Sequence, residues 1–158
     1  MSANHRILLV LSMAVVGLLT LGATAHAQAQ VIPKALKGKI ITSTKPIDIP
    51  SSQRNFLKKM KKQDRSVFKK DEEGKWNIHF VAFFSRGLPH ETMGVVVLDA
   101  KQEPVAIADV QGTKGQKTLA SQIVVDTTES PGKKHTLQVY FAKGKKPVVL
   151  AKKVITLK

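Results

Sequence analysis

The chain changes its hydropathy pattern three times. ILLVLSMAVVGLLTL, from Ile7 to Leu21, is an uninterrupted apolar run; SSQRNFLKKMKKQ, from Ser51 to Gln63, spaces its large apolar residues as a helix does; and from Trp76 onward apolar and polar positions alternate in pairs. In WNIHFVAFF, Trp76, Ile78, Phe80, Ala82 and Phe84 share one face and Asn77, His79, Val81 and Phe83 the other, which predicts the central strand of a sheet. Trp76, Phe80, Phe83 and Phe84 are four of the eight aromatic residues, so the core is expected around this strand. Downstream, MGVVVLDA and PVAIADV predict strands joined by the DAKQEP turn, with consecutive valines suggesting cover on both faces. QKTLASQIVVDT, HTLQVYFA and VVLAKKVITLK follow between Gly- and Pro-containing turns, with Leu137, Val139 and Phe141 expected to point inward. Lys152 and Lys153 break the last pattern and predict a bulge or an exposed edge. With GKIITST (38–44) as a first strand, the count is about seven.

The helical segment follows Pro46 and Pro50, and either Ser51 or Ser52 is placed to cap it. At about 100° per residue, Phe56, Leu57 and Met60 fall in one narrow sector. Arg54, Lys58, Lys59, Lys61 and Lys62 spread over the opposite arc, with Arg65 just beyond. Lys61, Lys62 and Arg65 favour the helix dipole by roughly 0.3–1 kcal/mol each. The four-apart pairs Arg54–Lys58 and Lys58–Lys62 cost roughly 0.2–0.5 kcal/mol each. Helix stability therefore neither requires nor forbids the arrangement, and two readings stand: a solvated face partly neutralised by Asp71, Glu72 and Glu73, or a surface for an anionic partner.

The apolar run is shorter than the about 20 residues of a membrane-spanning helix. It follows Arg6 and ends in GATAHA, a small-residue cleavage pattern, so residues 1–27 are expected to be a signal peptide cut before Gln28. This segment resembles the general secretory leader of a Gram-negative bacterium, which implies a periplasmic or extracellular address and no integral span once it is removed. Without cysteine, the remaining 131 residues must be stabilised by an ordinary core and not by disulfides. Residues 28–37 are expected to form a flexible tail, and 38–158 a single β-sandwich domain with its helix at about 51–63. Only Arg6 among the charges lies in the leader, so the rest carries 25 Lys and Arg against 11 Asp and Glu, a formal +14. Such an excess attracts anionic partners.

Catalytic signatures do not emerge. There is no G-x-S-x-G elbow, H-E-x-x-H, P-loop or dinucleotide fingerprint, and no cysteine nucleophile. His79, His90 and His135 are read as surface or turn residues, with His79 and His135 on strands of different sheets; His90–Glu91 is the one place for an acid–base pair, and Met93 nearby adds a faint copper signal. The chain is therefore expected not to be an enzyme, and to need no cofactor or metal. Nucleic acid ranks below envelope polymers as a partner, because Tyr140 and Phe83 are the only rings left over for stacking.

The closing pair of strands, PGKKHTLQVYFAKGKKPVVLAKKVITLK, resembles the last hairpin of bacterial immunoglobulin-like and fibronectin-like modules. The resemblance implies a two-sheet sandwich with the basic helix inserted between its first and second strands. The function so implied is a binding or structural module of the envelope, with a protein partner or, through Arg54, Lys58, Lys59, Lys61, Lys62 and Arg65, an anionic polymer such as lipopolysaccharide or acidic polysaccharide.

Overall fold

Alternation becomes strand wherever one face finds a core, and this chain supplies two cores. The computed structural model describes residues 31–158 except 53, 128–131 and 145; the expected signal peptide (1–27) lies outside these residues. Eight strands are formed: β1 (Ile40–Ser43), β2 (Val67–Phe68), β3 (Trp76–Phe83), β4 (Thr92–Leu98), β5 (Pro104–Gln111), β6 (Thr118–Val125), β7 (Lys133–Lys143) and β8 (Lys146–Leu157). One α-helix, α1 (Phe56–Gln63), stands between β1 and β2. Against the expected seven strands, the addition is β2, two residues too short to show a period.

The strands form a three-stranded sheet in the order β1-β3-β6 and a five-stranded sheet in the order β2-β8-β7-β4-β5. β3 is central to the smaller sheet, as its pattern predicts. Pairing is antiparallel except between β2 and β8. A curled half-barrel sheet results, in place of the clear immunoglobulin-like sandwich expected from the sequence: β5 approaches β6 on one side, and a parallel bridge joins Lys39 to Lys152 on the other. Between the sheets, Trp76, Ile78, Phe80 and Ala82 of β3 meet Val95 and Val97 of β4, Leu137 and Val139 of β7, and Ile155 and Leu157 of β8. Trp76 is fully buried, and its indole N–H donates to the Lys158 carbonyl at 2.9 Å.

The second core lies on the outside of the smaller sheet. Ile41 of β1 stands opposite Val81 of β3, and these two with Phe83 are covered by Phe56 and Met60 of α1 and by Ile32 and Leu36. This corrects two expectations. The chain from Val31 to Lys37 is not a loose tail: a 3-10 turn at Lys34–Leu36 seats Leu36 in this core. Phe83 is not an available ring, being fully buried and nearly perpendicular to the Phe56 ring at 6.1 Å between centroids. The valines Val95–Val97 are buried on both faces as their pattern suggests, but β5 is an edge strand and leaves Ile107 64% exposed.

Two turns share one device. In DEEGK, Asp71 Oδ1 accepts from the amides of Glu73 (3.0 Å) and Lys75 (2.9 Å); in DAKQE, Asp99 Oδ1 accepts from those of Lys101 (2.8 Å) and Glu103 (2.9 Å). In each the fourth residue, Gly74 or Gln102, takes a positive φ, at a steric cost for the glutamine. The Glu103 amide foremost, then that of Lys101, holds the Asp99 carboxyl below the ordinary carboxylate range, against an opposing effect of desolvation. A depressed folded value means stabilisation that is present above the unfolded value and lost as pH falls through the folded one. Asp99→Asn should therefore flatten the decline of urea midpoints between about pH 5 and about pH 2, where the parent falls more steeply. Identical slopes would show that the turn does not distinguish the charged carboxylate.

Candidate functional site: a basic helix latched to the sheet seam

Helix α1 is short, and its start differs from expectation. Neither Ser51 nor Ser52 caps it. Asn55 precedes Phe56 with φ 64°, makes no side-chain cap bond, and its carbonyl accepts from the Lys59 amide at 2.9 Å. Ser52 Oγ instead accepts from the Arg54 amide at 3.2 Å, in the approach to the helix. The helix is held mainly by packing: burying Phe56 and Met60 contributes roughly 1.5–3 kcal/mol each before entropy is counted. At the far end Gln63 is tied to Asp48 twice, accepting from its amide and donating to its carbonyl.

Asp64 makes the strongest attachment. Its Oδ1 accepts from the Thr42 amide at 3.0 Å and also from the Lys153 ammonium. The Arg65 amide donates to the Thr42 carbonyl at 2.7 Å, while the Thr42 hydroxyl donates to the Arg65 carbonyl. Residues 64–65 thus pair with the free edge of β1, and the chain then enters β2 beside β8. Lys153 resolves the broken pattern in VVLAKKVITL. It occupies a core-facing register opposite Leu137, its side chain is 11% exposed, and Asp64 neutralises it. Lys152 points outward. The bulge predicted here is real but sits two residues earlier, where Val139 pairs with Ala151 and Tyr140 with Val149.

Docking Phe56 and Met60 leaves Arg54, Lys58, Lys59, Lys61, Lys62 and Arg65 all exposed. Among the described residues none of the six pairs with a carboxylate. The Arg65 guanidinium donates to the carbonyls of Lys62 and Asp64, which ties it to the helix end. Asp71 to Glu73 do not neutralise the helix: Asp71 holds its own turn and Glu73 pairs with Lys75 at 3.2 Å. Sequence reasoning missed further cations. Because Ile32 and Leu36 pack in the core beneath α1, the exposed Lys34, Lys37 and Lys39 join the same flank. Residues 31–65 carry ten Lys and Arg against two Asp and Glu, one of which is consumed by Lys153. The signal was the four-residue spacing of Ile32 and Leu36 among lysines.

The histidines do not assemble. His79 lies on the smaller sheet and His135 on the larger, as predicted, and His90 is an exposed loop residue with its ring 5.4 Å from that of Phe141. His90, Glu91, Thr92 and Lys114 border an open cleft of about 530 Å³. Among the described residues no three His, Asp or Glu side chains converge as metal ligands would. His135 is corrected from surface to interior. It takes an inward register opposite Ile155, is 1% exposed, lies with Nδ1 3.1 Å from the Lys133 carbonyl, and leaves Nε2 without a partner among the described residues. Tyr140, the other ring reserved for stacking, is half-buried against Gly94.

No known protein family and no curated protein matches the chain. Among the described residues no helix is long and apolar enough to cross a membrane.

Proposed function

We propose that this protein is an exported, non-catalytic binding module of a bacterial envelope, and that it holds an anionic polymer on the flank built by α1. The observation that carries the reading is the set of six exposed cations, four on a helix whose apolar side is fixed and Arg54 and Arg65 flanking it, with no carboxylate paired to them among the described residues. A merely solvated helix face usually interleaves both signs; this one does not. Export is supported by the apolar run and cleavage pattern of residues 1–27. Lipopolysaccharide phosphates or acidic polysaccharide suit the site better than nucleic acid, since the fixed helix offers charge without a stacking platform.

The test is retention on a heparin column. Lys58, Lys59, Lys61 and Lys62 replaced together by Gln should lower the eluting salt well beyond what four Lys→Gln changes elsewhere on the surface produce, with an unchanged circular dichroism spectrum. Equal elution of the two variants removes the helix from the function. A protein partner is the second reading, favoured by the free edge of β5 and the exposure of Ile107. It predicts binding that survives high salt.

A further inference from the structure

The two consecutive lysines of β8 face opposite ways. Lys153 turns inward to Asp64, while Lys152 turns outward opposite Gln138 and stands in parallel bridge register with Lys39 across the seam between the sheets. Bridged backbones lie about 4.8 Å apart, so two ammonium-bearing side chains leave the barrel side by side. Like charges so placed repel. No carboxylate pairs with either among the described residues.

Beside them lies a cleft of about 350 Å³ lined by Gly38, Gln138, Val149, Leu150, Ala151 and Lys152. Its lining includes the outward-facing Gln138, Val149 and Lys152 of the larger sheet, and exposed valines lie on that face beside the lysine. Val149 and Val154, on either side of Lys152 along β8, are 44% and 56% exposed. Tyr140 stands opposite Val149, and its ring lies across Gly94 so closely that a Cβ there would come within 2.4 Å of Cζ. Gly94 thereby lets the phenol ring lie close to the sheet and extend the apolar surface. The carboxylate of Asp109 belongs to the same row but sits on β5, the far edge of the sheet.

We propose that the β1–β8 seam binds one anionic amphiphile, with a phosphate or carboxylate headgroup between Lys39 and Lys152 and its hydrocarbon chain over Val149, Val154 and Tyr140. Two adjacent cations alone would suit any anion. The exposed aliphatic side chains next to them select one that carries a tail, because covering them removes apolar surface from water. Lys39 lies at the border of the α1 flank, but the headgroup site uses none of the helix cations, so it does not depend on polymer binding by the helix.

The probe is dodecyl phosphate below its micelle concentration, titrated into isotopically labelled protein and followed by amide shifts. Saturable binding is expected, with shifts at Gly38, Tyr140 and Val149 to Val154 and an affinity at least tenfold above those of inorganic phosphate and of neutral dodecyl maltoside. Lys39→Gln with Lys152→Gln, both at exposed positions, should weaken it at least tenfold, and Val154→Ser severalfold, while replacing the four helix lysines by Gln leaves it unchanged. The proposal is overturned by affinity equal to that of inorganic phosphate, which means the tail is not held, or equal to that of the maltoside, which means the lysines are not used. Shifts confined to α1, or no saturation, overturn it as well.

Discussion

Asp64→Ala is expected to lower unfolding stability by about 2–4 kcal/mol, a large effect for a residue outside either apolar core. The loss has two parts. Lys153, in a core-facing register between the buried Ala151 and Ile155, would lose its carboxylate partner, and the Thr42 amide would lose its acceptor. Breaking a largely buried ion pair by removing one partner is costly because the other charge stays desolvated. The upper end of that range is discounted because Asp64 retains 32% of its side-chain exposure and water can partly replace it. The same argument fixes the sign of the double variant: Asp64→Ala with Lys153→Met removes both charges and should regain more than half the loss. Urea unfolding of the parent, the two single variants and the double variant measures the cycle. A loss below about 1 kcal/mol for Asp64→Ala, or no recovery in the double variant, would falsify the assignment of Asp64 as the latch between α1 and β8.

Phe83→Ala should cost about 3–5 kcal/mol, as large as Phe80→Ala on the opposite face of the same strand. In an ordinary two-layer sandwich the outward residue of such a pair would be nearly silent. Here Phe83 is fully buried between Phe56, Ile32, Leu36 and the sheet. Truncating it leaves a cavity under α1, whose own stability depends on this contact because eight residues are too few for an isolated helix to persist. Hydrogen exchange adds a second readout. The α1 amides should lose protection in Phe83→Ala and keep their relation to global stability in Phe80→Ala. Equal protection in both variants would mean that the helix does not rest on Phe83.

Much of the strand content was legible. The inward set Trp76, Ile78, Phe80, Ala82 and Phe84 could be assigned from period alone, because a strand that buries one face must repeat every two residues. The charged side of α1 could be read for the same reason at helical spacing. What misled was the alternate set. Val81 and Phe83 carry no mark that says whether outward-facing apolar residues are exposed or covered, so the pattern alone leaves Phe83 as a free ring. The flanking Lys133 and Lys134 mark His135 as surface, whereas its register opposite Ile155 puts it inside. Residues 31–37 looked like a tail because so few positions show no repeat.

By itself the sequence determined the periods: an apolar leader-like run, one amphipathic basic helix, and a series of strands rich in β-branched and aromatic residues. Local side-chain spacing encodes these because the faces of helices and strands follow from backbone geometry. Only the tertiary structure decided which faces meet. It joined Ile32 and Leu36 to α1, turned Lys153 inward against Asp64, and set Lys39 beside Lys152. Each of these pairings links positions far apart along the chain: exclusion of water selects the first, neutralisation of charge the second, and backbone bridging between the sheets the third, none of which a local pattern records.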